Sequence, residues 1–167
     1  MHRVLEGALA GAVGVTVINA ATNLDMVIRG RPASSVPKDV VAELAHDLGV
    51  VRPATELGDD PDESRSNRFS GAGALMGTLT GVCGGIAYAV AAERIPSVPM
   101  PLAALALGAG TMAVTDTSAA VTGAAEPSSW GAASWAADVV PHLLYGLATA
   151  AVLGVMHRSS GARSRVG

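Results

Sequence analysis

The sequence predicts an all-α integral membrane bundle of four transmembrane helices, with a short amphipathic helix in its first loop. Half of the 167 residues are hydrophobic, only 15% are charged and 3% are aromatic, and the mean hydropathy is +0.41. A soluble domain of this size carries more charge and more aromatic residues. The apolar residues form long uncharged runs rich in glycine and alanine, which is typical of helices that pack closely within lipid.

Four segments approach or exceed the roughly 20 residues that a helix needs to cross a bilayer. Each is predicted to be helical, because a chain within lipid must satisfy its backbone hydrogen bonds internally. Trp130 and Trp135 lie where the last segment begins, as interfacial aromatic residues do. We therefore expect one membrane domain over residues 1–167, with helices at about 4–26, 69–92, 100–121 and 134–156.

The long first loop, residues 27–68, is predicted to contain a helix and a linker. Pro37 near a serine pair is a helix start, and Gly49 is a helix stop, which gives a helix over about 36–48 with one apolar face. Such a helix packs on its own protein as a connector or lies on the membrane surface. Residues 56–67 are polar and acidic, and we expect a flexible linker there.

The charges that flank the helices give only a weak indication of orientation. With both termini cytoplasmic, five Lys and Arg residues lie inside and six lie outside, so the positive-inside rule does not decide by count. The loop at 122–133 has no Lys or Arg, whereas the C-terminal tail has three Arg. We therefore expect an inner (plasma) membrane protein with cytoplasmic termini. Because Glu6 interrupts a start that otherwise imitates a signal peptide, the first segment is expected to remain as an anchor.

The most specific pattern is a stripe of glycines, four residues apart, on the second predicted helix. Such a glycine zipper gives a flat surface on which another helix can pack at close range. We expect it to pack within the bundle, with homo-oligomerisation through an unused stripe as the alternative. Its members are Gly73, Gly77, Gly81 and Gly85, and smaller stripes occur at Gly7 and Gly11 and at Gly146, Ala150 and Gly154.

Polar residues at membrane depth are costly and therefore invite a functional explanation. Alternating helix directions place six of them on one side of the bundle, the side of the 27–68 and 122–133 loops. Three interpretations compete: a hydrogen-bonded structural cluster, a polar cavity that binds a small ligand or moves protons, and a metal site. The six residues are Asn19, Asn23, Asp116, Asp138, His142 and Tyr145.

Cofactor and catalytic chemistry receive little support from the sequence. Asp116, Asp138 and His142 supply too few ligands for a metal site to be predicted. His142 has no second histidine at membrane depth to share a haem, and no nucleotide-binding loop or CxxC pair is present. Ser134 and His142 lie eight residues apart on one helix, about 12 Å along its axis, which is too far for a catalytic pair. We expect no cofactor, no metal and no catalytic residue.

Two segments give the chain a resemblance to known proteins. Arg29-Gly30-Arg31-Pro32 follows the first helix, and Trp130 to His142 opens the fourth. With these segments the chain resembles small multi-pass inner-membrane proteins of bacteria, particularly actinobacteria, over most of its length. Such families have no established activity, so the resemblance implies membrane location alone. Arg29 and Arg31 are interpreted as a cationic turn at the membrane edge or as a contact for lipid phosphates or an acidic partner.

These observations favour a non-enzymatic function. The leading hypothesis is a structural or accessory protein of the lipid bilayer that associates with itself or with a larger membrane complex. The alternative is a small transporter or channel-like protein that uses Asp116, Asp138 and His142, and a membrane enzyme ranks third. Nucleic acid is not an expected partner, because no basic patch with interleaved aromatic residues is present.

Overall fold

A computed structural model of the chain describes residues 2–50, 60–94 and 98–163. Over these residues the protein consists of five α-helices and one short 3-10 turn, with no strand. The all-α prediction and the short helix in the first loop are confirmed. The elements are α1 (His2–Arg29), α2 (Val36–Asp47), α3 (Pro61–Ala91), α4 (Met100–Thr122), the 3-10 turn Pro127–Ser129, and α5 (Ala132–Arg163).

Three of the described helices, not four, are long and apolar enough to cross a membrane. They are α1, α3 and the Ala132–Arg158 part of α5. Helix α4, which corresponds to the predicted membrane helix at 100–121, has nearly the expected bounds but is not among the three. The predicted number of four apolar membrane helices is therefore corrected to three. The physical reason is the second half of α4, where Thr111, Thr115 and Asp116 lower the mean hydropathy.

Helix ends follow local capping chemistry, and one of them corrects the sequence prediction. Gly49 ends the α2 region with a φ of +64°, as its role of helix stop requires. Helix α3 begins at Pro61 rather than at residue 69, because the Asp60 carboxylate accepts a hydrogen bond from the backbone N–H of Glu63 at 3.0 Å. The linker prediction for 56–67 is therefore wrong over 61–67, which are helical, and 56–59 lie outside the described residues.

The long helices alternate in direction, and α1 lies between two of them. Helix α1 runs antiparallel to both α3 and α5, while α4 runs antiparallel to α5. Helices α3 and α4 contact each other only slightly, so a groove remains between them. Helix α2 packs against both α3 and α4, and its Val40 side chain is buried. Helix α2 therefore connects α3 and α4 at the end of the bundle that carries the first loop.

Small residues allow these helices to pack backbone to backbone. A Cβ atom built on Gly11 would lie 2.7 Å from the carbonyl oxygen of Gly81, and one on Gly85 would lie 2.7 Å from the Cα of Gly11. A Cβ on Gly108 of α4 would lie 2.7 Å from the carbonyl oxygen of His142 on α5. Such contacts have no room for a larger side chain. The centre of the bundle is filled by fully buried side chains, the largest being Tyr145, Leu153 and Thr149.

Candidate functional site

A pair of polar side chains, Asp138 and His142, lies in the first half of α5. Their spacing of four residues places them one turn apart on one helix face. Nδ1 of His142 is 2.8 Å from the backbone carbonyl oxygen of Asp138 and 3.3 Å from its carboxylate oxygen Oδ1. Within the described part of the chain, the second carboxylate oxygen of Asp138 is buried without a hydrogen-bond partner. The histidine ring is therefore held by backbone and side chain together.

Asp116 approaches this pair from α4. Its carboxylate interacts electrostatically with both Asp138 and His142. It also lines a cavity of about 730 Å³ at the end of the bundle, where Glu126 and Ser128, from the segment between α4 and α5, contribute to the walls. Helix direction explains the arrangement, because the end of α4 and the beginning of α5 meet at the loop that joins them. The cavity is thus acidic and lies at the predicted polar side.

The other three residues of the predicted polar cluster lie elsewhere. Asn19 and Asn23 are exposed on α1, so the structure does not bring them to Asp138 and His142. Tyr145 is 1% exposed, and its hydroxyl donates a hydrogen bond to the carbonyl oxygen of Gly81 at 2.6 Å. Tyr145 therefore links α5 to α3 in the centre of the bundle. Of the six residues of the predicted polar cluster, Asp116, Asp138 and His142 remain as one charged group.

The predicted glycine stripe on α3 does not form one packing surface. Gly81 and Gly85 lie against α1, as the contacts above require. Gly73 lies against α2 instead, since a Cβ on it would be 2.7 Å from the backbone of Pro37. Gly77 is exposed, and a Cβ there would meet no atom within 4 Å. The four-residue spacing thus predicted close packing at three positions but not which helix would be the partner.

Arg29 and Arg31 are engaged by a carboxylate of their own chain. Nε of Arg29 lies 2.7 Å from one oxygen of Asp25, and Nε of Arg31 lies 2.5 Å from the other. Arg29 also donates from Nη1 to the carbonyl oxygen of Ala133 at 3.3 Å, which ties the end of α1 to the beginning of α5. The two guanidinium groups therefore form an intramolecular clasp, and Asp25 offsets part of the charge that a phosphate would meet.

A second charged group, at the opposite end of the bundle, was missed by the sequence analysis. Glu6 is only 6% exposed, and its carboxylate lies 3.1 Å from His2, 3.3 Å from Arg3 and 3.7 Å from His157 of α5. Arg3 also reaches Glu93, beyond the end of α3, at 3.3 Å. The i, i+3 and i, i+4 spacing around Glu6 was visible in the sequence. The partner on α5 was not, because it lies 151 positions further along the chain.

Both charged groups contain residue types that can bind metals, but no metal site is found in the part of the chain that the structure describes. Among the described residues, no three His, Cys, Asp or Glu side chains are close enough together to hold a metal ion.

The chain matches no protein-family model, no curated protein and no solved structure.

Proposed function

We propose that this chain is a structural or accessory membrane protein that associates laterally with a transmembrane helix, in the first place that of a second copy of itself. One observation carries the proposal: Asn19 and Asn23 are exposed on α1, a helix that is long and apolar enough to cross a membrane. An amide within hydrocarbon has no water to bond, so it is stabilised by a partner on a neighbouring helix. Such a pair on an outer face is a feature of an interface.

The two asparagines lie on α1 beyond its closest backbone contacts with α3, which Gly7 and Gly11 make. The antiparallel register of those contacts brings Asn19 and Asn23 level with residues 69–74 of α3, where Ser70 and Ala74 are exposed. We infer that an opening lies between the two helices over this stretch. An incoming helix would meet amides on one wall and small residues on the other, which allow close approach.

We propose an inner-membrane location with cytoplasmic termini, in which α4 crosses the membrane beside the three helices that are apolar enough to do so alone. Helix α4 is included as a crossing helix because it packs antiparallel along α5, with Ala104 facing Gly146 and Gly108 facing His142. A polar helix is accommodated in a bilayer when its polar groups interact with protein, and the Asp116 carboxylate interacts electrostatically with Asp138 and His142 of α5. The α5 residues of the contact lie within an apolar span.

We favour this role over the alternative of a transporter or channel-like protein. That alternative stays a prediction and rests on Asp116, Asp138 and His142. Further along α5 from that group, Tyr145, Thr149 and Leu153 are fully buried and occupy the bundle centre. A path for ions or solutes through the bundle would have to displace them, whereas an accessory role needs no path.

Measuring self-association of the full chain in lipid bilayers tests the proposal. Replacing both Asn19 and Asn23 with leucine should weaken association about tenfold, since each interhelical amide contact contributes roughly 0.6–1 kcal/mol. The readout is energy transfer between donor- and acceptor-labelled copies at several protein-to-lipid ratios. Thr16→Leu is the matched control, because the exposed Thr16 hydroxyl already donates to the Ala12 carbonyl of its own helix at 3.0 Å.

Two outcomes separate self-association from membership of a larger complex. A wild-type chain that stays monomeric in bilayers would exclude the second copy, and the double variant should then lose a co-purifying membrane protein instead. If the double variant keeps both its self-association and its co-purifying proteins, the asparagines are not an interface and the proposal fails.

A further inference from the structure

A groove lies between α3 and α4. It has a volume of about 910 Å³ and is open rather than enclosed. Its α3 wall includes Ala72, Leu79 and Cys83, and its α4 wall includes Leu107 and Gly110. Because α3 and α4 scarcely contact each other, the lining extends over residues 72–91 of α3 and 106–114 of α4.

The walls of the groove are mostly apolar. The hydroxyl of Thr80 donates to the carbonyl oxygen of Met76 at 2.9 Å, and that of Thr111 donates to the carbonyl oxygen of Leu107 at 2.8 Å. Both hydroxyls are therefore satisfied within their own helices. Apart from the phenol of Tyr88 and the thiol of Cys83, the remaining lining is apolar, which favours an occupant that is apolar over most of its length.

A positive charge lies just beyond each end of this apolar surface, but only Arg68 belongs to the helix that forms the wall, because Arg94 follows the end of α3. Arg68 is exposed and precedes Ala72 by four residues and Leu75 by seven, which places all three on one face of α3. The rise of about 1.5 Å per residue puts Arg68 roughly 6 Å along the axis from Ala72. No charged residue follows Arg68 before α3 ends. An apolar groove with a cation at its end matches a molecule with an apolar tail and an anionic head.

We propose that this groove binds an anionic phospholipid, with an acyl chain between α3 and α4 and the phosphate against Arg68. The site is independent of the opening between α1 and α3, which lies on another face of α3. An acyl chain makes no hydrogen bonds and can follow the rim formed by Leu75 and Leu79. The charge at Arg68 selects the head group, because one cationic side chain at the membrane surface contributes about 1 kcal/mol towards an anionic lipid.

Native mass spectrometry of the full chain, released from detergent with added lipid, tests the site. Phosphatidylglycerol and phosphatidylcholine with identical acyl chains serve as probes. We expect the anionic lipid to be retained about fivefold more strongly, the factor that one such charge supplies. Arg68→Gln should abolish this preference. Arg94→Gln, the same charge change beyond the opposite end of α3, should leave it unchanged.

A groove variant tests the apolar part of the site. A Cβ on Gly110 meets no atom within 4 Å, so Gly110→Leu should keep its thermal stability while its side chain enters the groove and displaces both lipids. Equal retention of the two lipids by the wild type, or a preference that survives Arg68→Gln, would overturn the proposal. A disulfide between Cys83 residues of two copies in oxidised membranes would also overturn it, because the groove would then hold a second chain.

Discussion

Replacing Gly85 with leucine is expected to force α1 away from α3 and to lower the free energy of unfolding by about 3 kcal/mol, the upper part of the range for overpacked sites. A Cβ atom on Gly85 would lie 2.7 Å from both the backbone nitrogen and the Cα of Gly11. Backbone atoms cannot turn aside as a side chain can. The helices must therefore separate, and the neighbouring contact between Gly7 and Ile86 is lost with them.

The matched control for this variant lies on the same helix, two turns earlier. Gly77→Leu introduces the same side chain at a position where a Cβ meets no atom within 4 Å. The monomer should then keep the wild-type thermal midpoint in detergent, while Gly85→Leu unfolds at a clearly lower temperature. Equal midpoints for the two variants would contradict the account of close backbone packing between α1 and α3.

Truncating Tyr145 to alanine should be the most damaging change in α5. The ring lies among glycines of two other helices, since Cβ atoms built on Gly14 and Gly81 would be 2.6 Å and 3.3 Å from its atoms. Removing the ring leaves a cavity that glycines cannot fill, which should lower the free energy of unfolding by about 4 kcal/mol. Tyr145→Phe keeps the ring and removes only the hydrogen bond to Gly81, so it should lower the free energy of unfolding by about 1–2 kcal/mol.

Unfolding of these two variants in mixed detergent micelles, followed by circular dichroism, measures both effects. The wild type should be the most stable, Tyr145→Phe less stable and Tyr145→Ala the least stable. An alanine variant as stable as the phenylalanine variant would mean that the ring does not fill the bundle centre.

Most of the helical organisation could be predicted from the sequence, because a long apolar segment in lipid satisfies its backbone hydrogen bonds by forming a helix. The bounds of α4 were predicted to within one residue. The beginning of α3 could not be placed from hydropathy, which changes at residue 69, since the helix continues through polar residues to the Asp60 cap. The capping signature Asp60-Pro61 with Glu63 was present, but the acidic composition of the segment concealed it.

The candidate site was predictable only where one helix supplies both partners. Asp138 and His142 are four residues apart, so their contact follows from helix geometry alone. The exposure of Asn19 and Asn23 depends on how α1 packs against its neighbours, which the spacing of residues along one helix does not determine. Tyr145 was placed on the correct helix, but its partner is a backbone carbonyl of Gly81, a group that every residue carries. Sequence patterns therefore indicate the helix on which a polar residue lies but not its packing partner.

In the proposed topology α4 crosses the membrane beside the three apolar helices, so that the first and last loops lie on one side of it. Single cysteines at Ser64, Arg94 and Ser128, each in a Cys83→Ala background, test it with an impermeant thiol reagent in intact cells. The account predicts that Ser64→Cys and Ser128→Cys react while Arg94→Cys reacts only after lysis. If the cysteines at positions 64 and 128 react from opposite sides of the membrane, α4 does not cross and the account is contradicted.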